Sequence, residues 1–287
     1  MEISVVVPTV GRVPQLRRCL ESLGACSPRA SEIIVVDQSG ASEVRQVAAD
    51  FDETGVRLLE GDGRGVARAL NDGLHAARHD VVAVTHDDCA VAPDWIAVGR
   101  RTIESDSPRL ITGQVLPPAG RDPRLVPSTI VDVTPRTYSG WRLSGVLYPS
   151  NMVLDRARVL ALGGFDARFG PELAAEDNDF CYRWLRAGEC IRYEPSLRVV
   201  HDDWRAPAEL RNVYRNYGRG QGAFYAKHLR RGDLAMLRFL ASDVWASARV
   251  IASARVRGRP ELALAPLARL RGLPVGLVAG WRAFPPY

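Results

Sequence analysis

Residues 81–89, VVAVTHDDC, run apolar and valine-rich and then end on two adjacent carboxylates, Asp87 and Asp88. A short continuous run of this kind reads as a strand buried on both faces of a sheet. The stretch EIIVVD (residues 32–37) repeats the pattern and closes on Asp37. A third acidic group, AAEDND (residues 174–179), opens a helical stretch with Glu176 and Asp177. Open α/β sheets bind ligands outside the carboxyl ends of their strands. Carboxylates placed there repel a bare phosphate, but they suit a divalent cation lying between protein and phosphate.

Outward from this stretch the alternation continues. ISVVVP (3–8) predicts a buried first strand. GRVPQLRRCLESLGAC (11–26) follows as a helix with Leu16, Leu20 and Leu23 on one face. SEVRQVAADF (42–51) reads as a helix, VRLLE (56–60) as a strand and GVARALNDGLHAAR (65–78) as a helix. PDWIAVGRRTI (93–103) opens a helix with proline in its first turn, and RLITGQV (109–115) is a fifth strand. This pattern predicts an α/β fold with a mostly parallel, doubly wound sheet. From Leu116 to Gly145 the chain is rich in proline, glycine and threonine and reads as a long loop over the site. VLYPSNMVLD (146–155) returns to the sheet, RARVLALGGFD (156–166) is a short helix, and AAEDNDFCYRWLRAG (174–188) is a helix with acids in its first turn. IRYEP (191–195) and LRVVHDD (197–203) predict two short strands. From about Ala206 the pattern is helical, with breaks expected at Gly258, Pro260, Pro266, Gly272 and Pro274.

The chain has 287 residues, 46% hydrophobic and 25% charged, which is ordinary globular composition without repeats. The start, MEISVVVPTVGR, does not read as a signal peptide, and no uninterrupted apolar run predicts a transmembrane helix. Five cysteines without C-x-x-C spacing exclude a zinc or disulfide framework and predict reduced thiols in a cytoplasmic protein; Cys89 is read as packing. The net charge of +5 is uneven: residues 204–287 carry +11 and the rest −6. A basic tail suits anionic lipid, phosphate-bearing ligands or nucleic acid. The tail's YRNYGRGQGAFYAKHLRRGD (214–233) mixes arginine with aromatics, but no nucleic-acid fold motif accompanies it, and no nucleic-acid partner is expected. GDGRGVARALNDGL (61–74) has three glycines before a helix yet matches neither dinucleotide nor P-loop spacing.

Seven segments in a fixed order carry a resemblance: VVVPTVGR (5–12), VVDQSG (35–40), GRGVARALNDGL (63–74), THDDCAVAPDW (85–95), SNMVLDRARVLALGGFD (150–166), EDNDFCYRWLRAG (176–188) and VVH (199–201). Together they resemble a family 2 glycosyltransferase of the bacterial, polysaccharide-building type, with the nucleotide-sugar-binding GT-A fold. The resemblance implies a catalytic domain over 1–203, divided near 115 into a nucleotide-sugar half and an acceptor half, and a basic helical extension over 204–287. It places the turn at Pro8, Thr9 and Arg12 beside the nucleotide, Asp37 on base or ribose, and Arg68 and Asn71 nearby. Asp88 would coordinate Mn2+ or Mg2+ bridging the donor diphosphate, Asp87 would hold the ribose side, and His201 would complete the metal site. His86 stands where many relatives carry a further Asp. Ser150 and Asn151 would line the donor-sugar pocket. Asp177, beside Glu176, would be the general base in an inverting transfer. Trp141 is the expected stacking residue for an acceptor sugar, with Trp184 a second candidate, and Ser39 is the expected cap of the following helix.

The partners implied are a nucleoside-diphosphate sugar and a sugar or lipid-linked acceptor. Peripheral contact of the basic extension with the inner membrane face, and a dimer through the same helices, are the two expectations for the tail. Two other classes use similar parts. A sugar-nucleotide nucleotidyltransferase shares the sheet and the acids but wants a glycine-rich basic loop after the first strand, which PTVGR (8–12) matches poorly. A non-catalytic scaffold would have no need of Asp88 and Asp177.

Overall fold

The computed structural model describes residues 1–61, 63, 65–106, 108–140, 147–170, 172–202 and 207–286. It divides into two compact units: Met1–Asp166 with Phe180–Asp203, and Ala167–Asp179 with Trp204–Tyr287. The segment 167–179, expected within the acceptor half of the catalytic domain, thus groups with the C-terminal helices.

The first unit runs β1 (Ile3–Thr9), α1 (Val13–Gly24), β2 (Glu32–Asp37), α2 (Ser42–Asp50), β3 (Val56–Glu60), α3 (Val66–Ala76), β4 (Val81–Thr85), β5 (Cys89–Val91) and α4 (Trp95–Asp106). It continues with β6 (Leu110–Leu116), β7 (Arg136–Tyr138), β8 (Asn151–Asp155), α5 (Arg156–Ala161), most of α6 (Glu176–Arg186) and β9 (Ile191–His201). The strands form one sheet in the order β3-β2-β1-β4-β8-β6-β9-β5, with β7 also on β9. The β3-β2-β1-β4 half is parallel. Beyond it the sheet is mixed: β8 lies antiparallel to β4 and β6, β6 and β9 are parallel, and β5 and β7 are antiparallel to β9. The change follows from the chain between β6 and β8. Parallel pairing needs a crossover, usually a helix, and the described residues between β6 and β8 hold none.

Residues of successive strand positions enter two different cores, as a pleated strand requires. Val5, Val7, Ile33, Val35 and Ala83 pack with α1, α2 and α4, whereas Val6, Ile34, Val36, Val82 and Val84 pack with α3, α5 and α6. This explains the uninterrupted apolar runs: both faces are covered. The two short strands expected over 191–203 are one strand, β9. Its register against β6 jumps from Gly113↔Glu194 to Gln114↔Arg198. Pro195 lies inside the jump, where it has no N–H to give to the ladder.

The second unit holds α7 (Pro207–Arg230), α8 (Ala235–Val256), a 3-10 turn (Pro260–Ala263) and α9 (Leu264–Ala283). Helices α7 and α9 meet backbone to backbone. A Cβ on Gly222 would sit 2.3 Å from the Leu273 carbonyl oxygen, and one on Gly276 would sit 1.9 Å from that of Arg219. Contrary to the expected breaks, α9 runs unbroken through Gly272 and Pro274. Gly272 is needed for the close approach, and Pro274 is exposed, where solvent can satisfy the carbonyl one turn back. Pro266 falls in the first turn, where a missing N–H costs little. The helical stretch Pro260–Ala283, not expected from uninterrupted apolar runs, is long and apolar enough to cross a membrane by length and composition alone; 28% of its most apolar window is buried within the protein.

Candidate active site

Asp87 and Asp88 lie on the turn after β4, closed by the Cys89 N–H donating to the His86 carbonyl at 3.0 Å. Asp87 is buried and fully engaged. Thr9 donates to its Oδ2 at 2.7 Å, Arg12 Nε donates to the same oxygen at 3.1 Å, and Arg12 Nη2 pairs with Oδ1. Arg12 Nη1 also lies 3.1 Å from Asp88 Oδ2, so one guanidinium spans both acids. Gly11, at φ +91°, makes the turn that carries Arg12 there, a conformation open mainly to glycine. Burial pushes the Asp87 carboxyl up against the attraction of Arg12. Burial also opposes the Arg12 charge, but Asp88 and Asp87 outweigh it and raise its pKa. Thr9, Arg12 and Asp87, all expected toward the nucleotide, thus hold one another in one polar cluster beside Asp88.

Asp88 meets His201 and Cys89. The Asp202 N–H donates to the Asp88 carbonyl at 2.8 Å, and Cys89 faces His201 directly across the β5–β9 pair. Asp88 Oδ1 is 3.8 Å from His201 Nε2 and 3.9 Å from Cys89 Sγ. One ligand atom from each of the three lies within 4.8 Å of the others, and all three residues are buried. A carboxylate and an imidazole at this spacing fit a divalent cation of the Mn2+ class. Burial and the neighbouring Asp88 push the Cys89 thiol far up, so it stays protonated unless a cation draws the proton off. Sequence reasoning read Cys89 as packing; its place beside Asp88 and opposite His201 emerges only from strand register.

Asp37, at the end of β2, accepts from the Ser39 N–H at 2.8 Å and the Ser39 hydroxyl at 2.6 Å, both on Oδ1. Its Oδ2 is buried with no hydrogen-bond partner among the described residues. Ser39 is not the cap of α2, whose N-cap is Ala41. Its hydroxyl instead fixes the Asp37 turn and accepts from the Ala41 N–H at 3.2 Å. Gln38, which sequence reasoning missed, clamps the glycine loop: its amide donates to the Gly65 carbonyl at 3.2 Å and accepts from the Gly65 N–H at 3.1 Å.

The remaining expected residues occupy the following places. Pro8 is buried inside β1 opposite Val36. Arg68 is exposed on α3 and lies over Gly63. The Asn71 amide is taken up by the backbone of Phe165, donating to its carbonyl at 2.7 Å and accepting from its N–H at 2.9 Å. Asn151 is wholly buried; it donates to the carbonyls of Gln114 (2.8 Å) and Leu197 (2.9 Å) and accepts from Trp95 Nε1 (2.8 Å). Both amides brace the backbone; Asn71, half-buried, keeps a second N–H beyond these bonds, whereas both N–H groups of the buried Asn151 are taken. Ser150 is also buried. Trp184 packs in the core and donates to the Cys190 carbonyl at 2.9 Å. Trp141 lies outside the described residues.

Within the second unit, Glu176 and Asp177 start α6, a helix with acids in its first turn and Arg183 and Arg186 in its last, matching its dipole. Both acids are partly buried. Burial, reinforced by Asp177, pushes Glu176 up to about 8; burial pushes Asp177 up to about 6, partly countered by the Asn178 and its own backbone N–H groups and by Arg269. The pair therefore shares one proton near neutrality. Asp179 has a different part: fully buried, it pairs with Lys227 Nζ at 2.5 Å and His228 Nε2 at 2.9 Å. Asn178 donates to Gln221 at 2.8 Å.

Comparison with known proteins bears on the family and the fold. Residues 4–154 match the model of glycosyl transferase family 2. A glucosyl-dolichyl phosphate glucuronosyltransferase of Haloferax volcanii is 27% identical over 217 residues, covering 70% of this chain and 69% of the relative. A pre-mycofactocin glycosyltransferase of Mycobacterium tuberculosis is 31% identical over 225 residues, covering 71% of this chain but under half of the relative, 45%. In fold the chain resembles a Pyrobaculum calidifontis mannosyltransferase solved with GDP-Man and Mn2+, with TM-score 0.68, 18% identity and coverage of 96% and 87% of the two chains. It also resembles Staphylococcus aureus TarS solved with UDP, with TM-score 0.60, 16% identity and coverage of 98% and 90%. The fold is thus of the GT-A type, and the nucleotidyltransferase and scaffold alternatives fall away. With the family's model matched over more than half of its length, the chain belongs to glycosyl transferase family 2 and is a glycosyltransferase.

Proposed function

We propose that this enzyme transfers a sugar, with inversion, from a nucleoside-diphosphate sugar to an acceptor hydroxyl in a metal-dependent reaction. The observation that carries the reading is the buried pair of Asp88 Oδ1 and His201 Nε2, 3.8 Å apart after β4. These two residues would hold Mn2+ or Mg2+; when bound, the cation supplies Lewis-acid stabilisation of the diphosphate leaving group. Arg12 and Asp87, with Thr9, fix the turn that presents Asp88. The free Oδ2 of Asp37 is suited to accept from a base N–H or a ribose hydroxyl.

Asp177 is the general base. A base is most effective when its pKa lies near the working pH, and burial has moved this carboxyl toward it. Glu176, holding the shared proton, stays neutral beside it and spares Asp177 a like-charge neighbour. Asp177 takes the proton of the acceptor hydroxyl as the oxygen attacks the anomeric carbon from the face opposite the diphosphate. The acceptor is a sugar or a lipid-linked glycan, as the name of the Haloferax relative suggests, and the product feeds bacterial polysaccharide or glycoconjugate synthesis. The enzyme would then work at the inner face of a membrane.

A panel of nucleoside diphosphates and their sugars, screened by thermal shift with and without Mn2+, tests the reading. A ligand that binds only the native state raises stability, by about 2.7 kcal/mol at a hundredfold excess over Kd. One nucleotide should stabilise the protein only with Mn2+, and Asp88→Ala should abolish that shift relative to its own apo melting temperature. Metal-independent binding, or full Mn2+-dependent affinity in Asp88→Ala, would remove Asp88 from the metal site.

A further inference from the structure

The second unit carries a helix face with no covering. Of the 22 residues of α8, only Met236 and Ala254 are buried. Leu237, Ala241, Val244, Trp245, Ala248 and Ala252 recur at three- and four-residue spacing and form one exposed stripe. Trp245 is 67% exposed and Leu237 is 53% exposed, values far from those of a core-facing helix. Arg238 and Arg249 follow one margin of the stripe, and Arg255 continues its line at the C-terminal end. Asp243, the helix's single carboxylate, is turned away and accepts from the Tyr225 hydroxyl at 2.7 Å. The exposed face is therefore apolar and purely cationic.

We propose that α8 docks in the plane of an anionic lipid surface, with its apolar stripe at the headgroup–acyl boundary and its arginines on lipid phosphates. This deepens the membrane-face reading by naming the surface and its partner, and it stands on α8 alone. An amphipathic helix of about 33 Å with a basic margin, a basic end and an exposed tryptophan is the form that lies in a membrane interface. A bilayer crossing by α9 fits less well. That helix is locked along its glycines to α7, which carries Arg211, Arg215, Arg219, Lys227 and Arg230. Inserting α9 would drag those charges into hydrocarbon, at high cost. A second copy of the chain fits less well too. A two-fold contact through the stripe would bring the arginines of two copies together, and the stripe offers no carboxylate to neutralise them. Lipid phosphates do.

The test is co-flotation of the full chain with vesicles of phosphatidylcholine alone and of phosphatidylcholine mixed with phosphatidylglycerol, at low and high salt. The wild type should float only with anionic vesicles and be released by salt. The triple variant R238Q/R249Q/R255Q should lose roughly 100-fold in partitioning, from about fivefold per arginine near an anionic surface. Trp245→Glu should lose binding at every salt concentration. All four positions are exposed, so circular dichroism and melting temperature should match the wild type. Failure of the wild type to float at low salt, or undiminished flotation of the triple variant, overturns the proposal. So does a dimer in sedimentation velocity that Trp245→Glu abolishes, which would assign the stripe to a second copy. Mn2+-dependent nucleotide binding, measured on the same samples, reports on the transferase reading independently. Its presence in protein that does not float would sink the docking alone.

Discussion

Replacing Lys227 by methionine isolates the buried charge cluster of the second unit. Lys227 Nζ sits 2.5 Å from Asp179 Oδ1, with the side chains 1% and 0% exposed. The rings of Phe169 and Phe284 lie 5.1 and 5.4 Å from the ammonium. Methionine has nearly the same length and fills the space, so little of the effect should come from a cavity. What remains is the Asp179 carboxylate, buried beside His228 Nε2 at 2.9 Å. Removing one member of a buried pair costs about 3–5 kcal/mol, because the other charge is stranded away from water. Loss of the ammonium–ring contacts adds up to about 2 kcal/mol, and the hydrogen-bonding contact kept with His228 offsets part of the total. A net loss of about 4 kcal/mol is expected, or a fall in Tm of roughly 8–16 °C for a protein of this size. Replacing both partners, Lys227→Met with Asp179→Leu, removes the stranded charge and should recover most of the loss. Urea and thermal unfolding of the two single variants and the double variant, read as a double-mutant cycle, give the coupling directly. Two results would refute the reasoning: a single variant within about 1 kcal/mol of wild type, or a double variant as unstable as the sum of the singles. Asp177 stands one half-turn from Asp179 on the same helix start, so turnover should fall in Lys227→Met and return in the double variant.

Other outcomes follow from the same geometry. Asp177→Asn should keep nucleotide binding and lower turnover roughly 10²–10⁴-fold; near-normal transfer would rule out the base. In the wild type, activity should fall as pH drops below about 6, as Asp177 protonates. Stability should move the other way: a carboxyl with a raised pKa binds its proton more tightly when folded, so the pair's contribution weakens as pH rises from about 4 through the raised values. A melting temperature that falls along with activity on the acid side of this window, or an Asp177→Asn variant with unchanged pH dependence of stability, would contradict this. Asn71→Ala removes two hydrogen bonds to Phe165 and should cost about 1–3 kcal/mol without changing nucleotide affinity, measured by calorimetry. Gly276→Ala forces a methyl to 1.9 Å from a backbone oxygen and should cost at least about 1–3 kcal/mol in urea unfolding, because the helix backbone cannot give way as a side chain can.

How far the chain can be read unaided depends on the range of the signal. The strand runs ISVVVP and EIIVVD announce themselves because both faces are covered, and β1, β2 and β4 fall where the periodicity places them. Asp37, Asp88 and His201 were legible for the same reason: each stands at the end of, or just after, a strand, so a local pattern fixes its address. What failed was anything decided by the sheet's far pairings. The antiparallel entry of β8, the joining of 191–201 into one strand and the pairing of Cys89 with His201 are register facts without a local trace. The partners that Asn71 and Asn151 hold, backbone groups far away in sequence, leave no local trace either. Gly272 and Pro274 misled in the opposite sense. Breaker residues end a helix only when nothing rewards their continuing, and close packing against α7 rewards the glycines.

Lys227 is the single lysine in a chain with thirty-seven arginines, and it is buried. The native protein therefore offers amine-directed reagents its α-amine and essentially no ε-amine. Acylation at residue 227, or cleavage there by a lysine-specific protease, becomes a built-in reporter that fires only when the second unit opens. Under conditions where reclosing is faster than labelling, its rate measures the free energy of that opening, without any engineered probe.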